Sequence, residues 1–184
     1  ARELFAAADQ HVVLPVVDYP TPLSGEGPYD EAFSPDEVAA LAAYARGGGF
    51  LVLANGAARL RYGTTPADEN EDWADLNAVG AALGVTFEGR LLAGTQATVT
   101  TAHPLVAGVG ALALPQGNGL AVRPAAGRVL ARAGSDAAAV LFSAGDRGEI
   151  LALGDVGVLG GRGAAPNLAF LRNVASWART RAAR

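Results

Sequence analysis

The segment Ser34 to Ala54 constrains the fold more than any other part of the chain. Ser34 is followed by Pro35 and, three residues on, by Glu37, which is a capping box with proline at the first helical position. Val38, Leu41, Ala42 and Ala45 then recur at helical spacing and form one apolar stripe. Gly47-Gly48-Gly49 stops the helix, and Phe50-Leu-Val-Leu-Ala54 is an unbroken apolar run of the kind buried on both faces of a sheet. A capped helix, a glycine stop and a buried strand in succession make an α/β repeat. The pattern predicts a helix over Pro35 to Arg46 and a strand over Phe50 to Ala54, with Asn55 and Gly56 at the strand's carboxyl end.

Around this unit the pattern extends in both directions. Gln10 to Asp18 reads as another strand, near an edge or bent because Pro15 removes a ladder donor. Tyr19 to Phe33 holds three prolines and two glycines and reads as a long loop. Asp68 to Asp75 is an acidic helix start, continued by an inward face of Trp73, Leu76, Val79 and Leu83, and Gly84 ends it before a strand at Val85 to Phe87. From Thr95 short alternating pieces take over: Thr98 to Thr101, Gly119 to Arg123, Arg128 to Ala133 and Ala137 to Phe142. The turn Gly145-Asp-Arg-Gly148 leads back into Glu149 to Leu153 as a hairpin. Asn167 to Arg181 closes the chain as an amphipathic helix with Leu168, Leu171, Val174 and Ala178 inward. The expectation is one domain over residues 1–184: an α/β three-layer sandwich with a mostly parallel sheet and a β-hairpin-rich C-terminal half.

Composition removes several function classes. Of 184 residues, 51% are hydrophobic and 17% charged, which fits a folded core and not a disordered segment. The net charge is −4, so there is no basic field for nucleic acid. All 14 basic residues are arginine, which excludes a Walker-type phosphate loop for want of its lysine. Cysteine is absent, and with it disulfides, thiolate metal sites and thiol nucleophiles. No window of about eighteen uninterrupted apolar residues exists to span a membrane, and Arg2 to Ala8 lacks the features of a signal peptide; the expected location is cytoplasmic. The start at Ala1, in a chain without methionine, reads as a piece of something longer.

Several short motifs occur in a familiar order. Ser34-Pro-Asp-Glu-Val38, Ala43-Tyr44 and Gly47-Gly-Gly-Phe-Leu-Val-Leu53 are followed by Leu76-Asn77 and Leu83-Gly84-Val85, then by His103-Pro104-Leu105-Val106-Ala107-Gly108-Val109. Gly148-Glu-Ile-Leu-Ala-Leu-Gly-Asp155 and the set Asn167, Phe170, Asn173 and Trp177 complete the series. Together they resemble bacterial domains of the class I glutamine amidotransferase-like superfamily, including the GIFT-type domain of an intraflagellar-transport subunit. The resemblance implies an amidotransferase-like domain with a flavodoxin-like sandwich, and Arg2 to Ala8 as the tail of a helix that would follow a further first strand. Active members place a nucleophilic cysteine at a strand-to-helix turn. The comparable turn here is Leu53-Ala54-Asn55-Gly56, and an amide is no nucleophile. The resemblance therefore implies a pseudoenzyme: a non-catalytic module that binds a ligand or a protein.

His103, ahead of Pro104, reads as a turn residue bonding nearby backbone, and His11 as structural. Leu141-Phe142-Ser143-Ala144-Gly145 half-matches a nucleophile elbow but lacks the first glycine and the following helix. The run Asp68, Glu69, Glu71, Asp72 and Asp75 fits no calcium loop. Asp18, Tyr19, Asn55, Gly56 and Asp155 fall at predicted strand ends, where open α/β sheets bind ligands and where Asp and Asn also cap and turn. Gly161, Arg162 and Gly163 precede the last helix and supply backbone amides and a guanidinium for an anion. No metal or resident cofactor is expected. The first expectation is an unknown protein partner or small molecule. The runner-up is a nucleotide such as ADP, with Tyr19 stacked on its base and Arg162 on its phosphates; the further alternatives are a second copy in a homodimer or a hydrolase or transferase site pairing Asp155 with His103.

Overall fold

In the computed structural model the Ser34 capping box forms as the sequence predicts. The Glu37 amide donates to Ser34 Oγ at 3.3 Å, and the Ser34 amide donates to Glu37 Oε2 at 2.9 Å. The structure describes residues 14–17, 33–55, 72–114, 119–160 and 165–182. In chain order these give β1 (Leu14–Val17), α1 (Pro35–Arg46), β2 (Phe50–Ala54), α2 (Asp72–Leu83), β3 (Phe87–Leu91), β4 (Gln96–Val99), β5 (Ala111–Ala113), β6 (Leu120–Val122), β7 (Arg128–Ala133), β8 (Asp136–Ala144), β9 (Gly148–Leu153) and α3 (Leu168–Ala182). Two short 3-10 turns, Pro104–Val106 and Val156–Leu159, complete the set. None of the described helices is long and apolar enough to cross a membrane.

The sheet departs from the expected architecture. One sheet of seven strands runs in the order β1-β2-β9-β8-β7-β4-β5, and β3 pairs with β6 in a separate two-stranded sheet. Only β1–β2 and β2–β9 are parallel; β9–β8, β8–β7, β7–β4 and β4–β5 are antiparallel. The sheet is thus mixed and mostly antiparallel, and it curls towards a half-barrel, which overturns the mostly parallel flavodoxin-like sandwich. The reason lies in the connections. Tight turns that carry Gly134 and Gly145, both near φ +61°, fold β7, β8 and β9 back on one another, so the sheet grows by hairpins and not by helical crossovers. The hairpin strands thus form the greater part of the main sheet.

Helices cover both faces of this sheet. Alternation along β2 sends Leu51 and Leu53 towards α1 and α2, where they meet Leu41, Ala45, Leu76, Val79 and, from the small sheet, Phe87. Phe50, Val52 and Ala54 point the other way, into a core shared with Leu105, Val158 and the α3 residues Phe170, Val174 and Ala178. In α3 the inward face therefore runs through 170, 174 and 178. Leu168, expected inward, is 46% exposed because it stands on the other side of that stripe.

Two glycines are required by close approach. A Cβ on Gly49 would lie 2.4 Å from the Tyr44 ring, and one on Gly148 would lie 1.6 Å from the Ala45 carbonyl oxygen. The spacing of Tyr44 from Gly49 thus has a steric cause. Two asparagines use their amides as strand edges. Asn77 Oδ1 accepts from the Phe87 amide at 2.8 Å while its Nδ2 donates to the Phe87 carbonyl at 2.9 Å. Asn167 does the same to Ala113 on the edge strand β5, at 2.8 and 2.9 Å.

Candidate functional site

The parallel strands β1, β2 and β9 end together, and the ladder between β2 and β9 continues past them. The Asn55 amide donates to the Leu153 carbonyl at 3.0 Å, and the Val156 amide donates to the Asn55 carbonyl at 2.9 Å. Asn55 therefore lies beside the turn that carries Asp155. The Asp155 carboxylate caps the Val156–Leu159 turn, its Oδ1 accepting from the Gly157 amide at 2.7 Å. Asn55 is 1% exposed and Asp155 is fully buried. Part of their cover comes from the small sheet: the Leu120 amide donates to the Gly154 carbonyl at 2.7 Å, and a Cβ on Gly119 would sit 2.9 Å from that of Asp155.

Of the eight predicted ligand residues, Asn55 and Asp155 are described and are brought together at these strand ends. Asp18, Tyr19, Gly56, Gly161, Arg162 and Gly163 lie outside the described residues. His11, and the acids from Asp68 to Glu71, do so too. The two described residues work in the framework, one by its backbone in the ladder and the other as a cap. They form the floor of the region, not groups open to solvent. Among the described residues no three of His, Cys, Asp or Glu cluster as a metal site would require.

His103 belongs to a different place. It caps the Pro104–Val106 turn, Nδ1 accepting from the Leu105 amide at 3.2 Å, as its sequence context suggested. Its ring meets Trp177 edge-on, with centroids 5.0 Å apart and planes at 64°. Trp177 Nε1 donates in turn to Glu149 Oε2 at 2.7 Å. Glu149 stands at the start of β9, opposite Phe50 at the start of β2, whereas Asp155 lies beyond the β9 end. About 20 Å of strand, at ~3.3 Å per residue, separates the two ends. The structure does not bring His103 and Asp155 into one pocket, so they cannot act as a base and acid on a common substrate. Ser143 sits within β8 opposite Glu149, on a strand and not at a strand-to-helix turn, so the half-matched elbow is a strand residue.

Sequence reasoning did not foresee what the polar residues of α3 do. Asn173 Nδ2 donates to the carbonyls of Leu105 at 3.3 Å and Ala107 at 2.9 Å, so with Asn167 and Trp177 it ties the helix to three separate segments. Their recurrence in one motif was the available signal. Their partners lie up to 68 positions away, and no local pattern points to them.

No family model matches the chain, and no curated protein matches it. Among solved structures, the cytoplasmic protein STM1381 from Salmonella typhimurium LT2 superposes with a TM-score of 0.51 at 18% identity, over 80% of this chain and 60% of that one. The exo-β-1,4-mannosidase Op5Man5 from Opitutaceae bacterium strain TAV5 gives a TM-score of 0.43 at 15% identity, over 84% of this chain and 23% of the enzyme. The chain thus spans a quarter to three fifths of the length of these proteins. What is shared with the Salmonella protein is the fold.

Proposed function

We propose that the chain is a binding module without catalysis of its own, which holds a small molecule or a protein segment in the crevice beyond β1, β2 and β9. The observation that supports this most is the common ending of the three parallel strands, with Asn55 and Asp155 buried side by side at that edge. Ligands of open α/β sheets collect at such edges, because strand ends and helix starts turn unpaired backbone groups towards one point. The absence of cysteine removes glutaminase chemistry from the reading. The likeness to amidotransferase-like domains enters it through the sequence motifs alone. Within this reading a nucleotide such as ADP is the small-molecule candidate, with Arg162 for its phosphates and Tyr19 for its base. The overall negative charge repels an anion at long range, so binding depends on that local guanidinium. A cytoplasmic location belongs to the same proposal, supported by the description of the Salmonella protein as cytoplasmic.

Two measurements test it. Incubation with glutamine should release no ammonia above the uncatalysed rate, and turnover would overturn the non-catalytic reading. Calorimetric titration of ADP should give weaker binding to Arg162→Ala than to the wild type, by about tenfold for loss of one charged contact. Equal affinities, or no binding at millimolar ADP, would eliminate the nucleotide and leave the protein partner.

A further inference from the structure

The far end of β9 carries a second arrangement that the binding reading does not use. His103 is extended, with φ −154° and ψ 147°, and its Nδ1 accepts the Leu105 amide proton. A ring nitrogen that accepts must hold a lone pair, so the capping imidazole is the neutral form with its proton on Nε2. The only nitrogen left for a second proton is Nδ1, the capping atom itself. Proton uptake and the cap are mutually exclusive.

The same imidazole packs on α3. Its ring meets Trp177, and the Trp177 indole is held by Glu149 of β9. Asn173, one turn earlier on α3, holds the Leu105 and Ala107 carbonyls of the same 3-10 turn. Of the contacts that hold the turn, the His103 cap titrates, while the Asn173 amide, the Val106-to-His103 backbone bond and the buried Leu105 and Val106 do not. Among the described side chains, the charged groups on the packed elements are Glu149 on β9 and, on α3, the exposed Arg172 and Arg179. Their field leaves the conflict at Nδ1 unchanged.

We propose that His103 is a proton-operated latch: a proton taken up at Nδ1 releases the Leu105 amide and loosens the contact between the Pro104–Val106 turn and α3, with Asn173 keeping the turn in place. The device works in the range where imidazoles change charge, about pH 5 to 8.

Amide hydrogen exchange at Leu105, corrected for the intrinsic pH dependence of exchange, reads the latch directly. Its protection in the wild type should fall about tenfold between pH 7.5 and pH 5, with the midpoint of the His103 ring resonances. His103→Asn places Oδ1 where Nδ1 was, keeps a strong N-cap and has no proton to gain in this range. Its Leu105 protection should stay level. His11→Gln, which removes the other histidine, should behave like the wild type. The proposal is overturned if His103→Asn shows the same fall as the wild type, or if His103 titrates while Leu105 protection stays constant. Should His103→Asn not fold, the wild type decides alone: different midpoints for the ring and the Leu105 amide overturn the latch, and a shared midpoint supports it.

Discussion

Leu41 shows what one side chain contributes to the core between α1 and the sheet. It is 2% exposed on α1 and packs towards Leu51 and Leu53 of β2, so Leu41→Ala should cost about 2–5 kcal/mol in urea denaturation. A neutral result would refute the assigned face of the helix. At Gly148 the constraint is backbone against backbone. The Ala45 carbonyl has no flexible end to move aside, and Gly148→Ala should lower stability by more than about 3 kcal/mol in thermal melting. Glu37 makes a pH-dependent contribution. Its bonds to the Ser34 amide and then to the Ser34 hydroxyl hold its carboxyl below the usual glutamate range. A lowered pKa in the folded state stabilises fully above the unfolded value, about 4.3, and that gain is lost as the pH falls below it through the folded value. The difference in melting temperature between wild type and Glu37→Gln should therefore shrink as the pH drops from about 6 to about 3. Tyr44 is shifted the other way, upward, because burial against Gly49 penalises the phenolate.

Among the elements, α3 is anchored most specifically. Asn167 is 1% exposed and grips both polar groups of Ala113. Asn167→Asp keeps the acceptor for the Ala113 amide but turns an oxygen towards the Ala113 carbonyl. It should cost at least about 2 kcal/mol at pH 7. Part of that should return at a pH low enough to protonate the carboxyl, and a loss that ignores pH would contradict the clamp. Elements of this kind differ in how far sequence reveals them. The α1 bounds follow from Ser34, Pro35, Glu37 and Gly47, all local, and they agree with the structure residue for residue. The strand Phe50–Ala54 was equally plain. Strand direction was not, because burial on both faces yields the same apolar run whichever way the neighbours point. Ala137 to Phe142 is fully buried like β2, yet β8 is antiparallel to both neighbours. The candidate site was legible to the same depth. Strand ends placed Asn55 and Asp155 together, but residues that prefer such positions as caps are the ones that would also hold a ligand, so preference alone assigned no role.

At the scale of the molecule, two sheets must be held together. One tie is an ion network in which Arg90 of β3 bonds Glu88 and Asp136, the latter on β8, while Arg123 also reaches Glu88. The bond to Asp136, with that to Glu88, raises the Arg90 guanidinium further above its usual range. The network's arginines are exposed, so it should count for little. Arg90→Ala is expected to lower the melting temperature slightly at low ionic strength and not at about 1 M salt, where charges are screened within ~3 Å. An equal loss at both would mean that the arginine stem, not its charge, joins the sheets. The main sheet also has an order of assembly written into it. Strand β9 joins the parallel strands to the hairpins, and Phe50 of β2 finds its partner in Glu149, roughly a hundred positions later. The β8–β9 hairpin closes across a tight turn, so it forms by local search, while β1, α1 and β2 wait for it with an apolar strand edge exposed. As the chain leaves the ribosome, this regular repeat emerges well before its partner strand, and until Leu153 has followed that edge is open to the wrong neighbour.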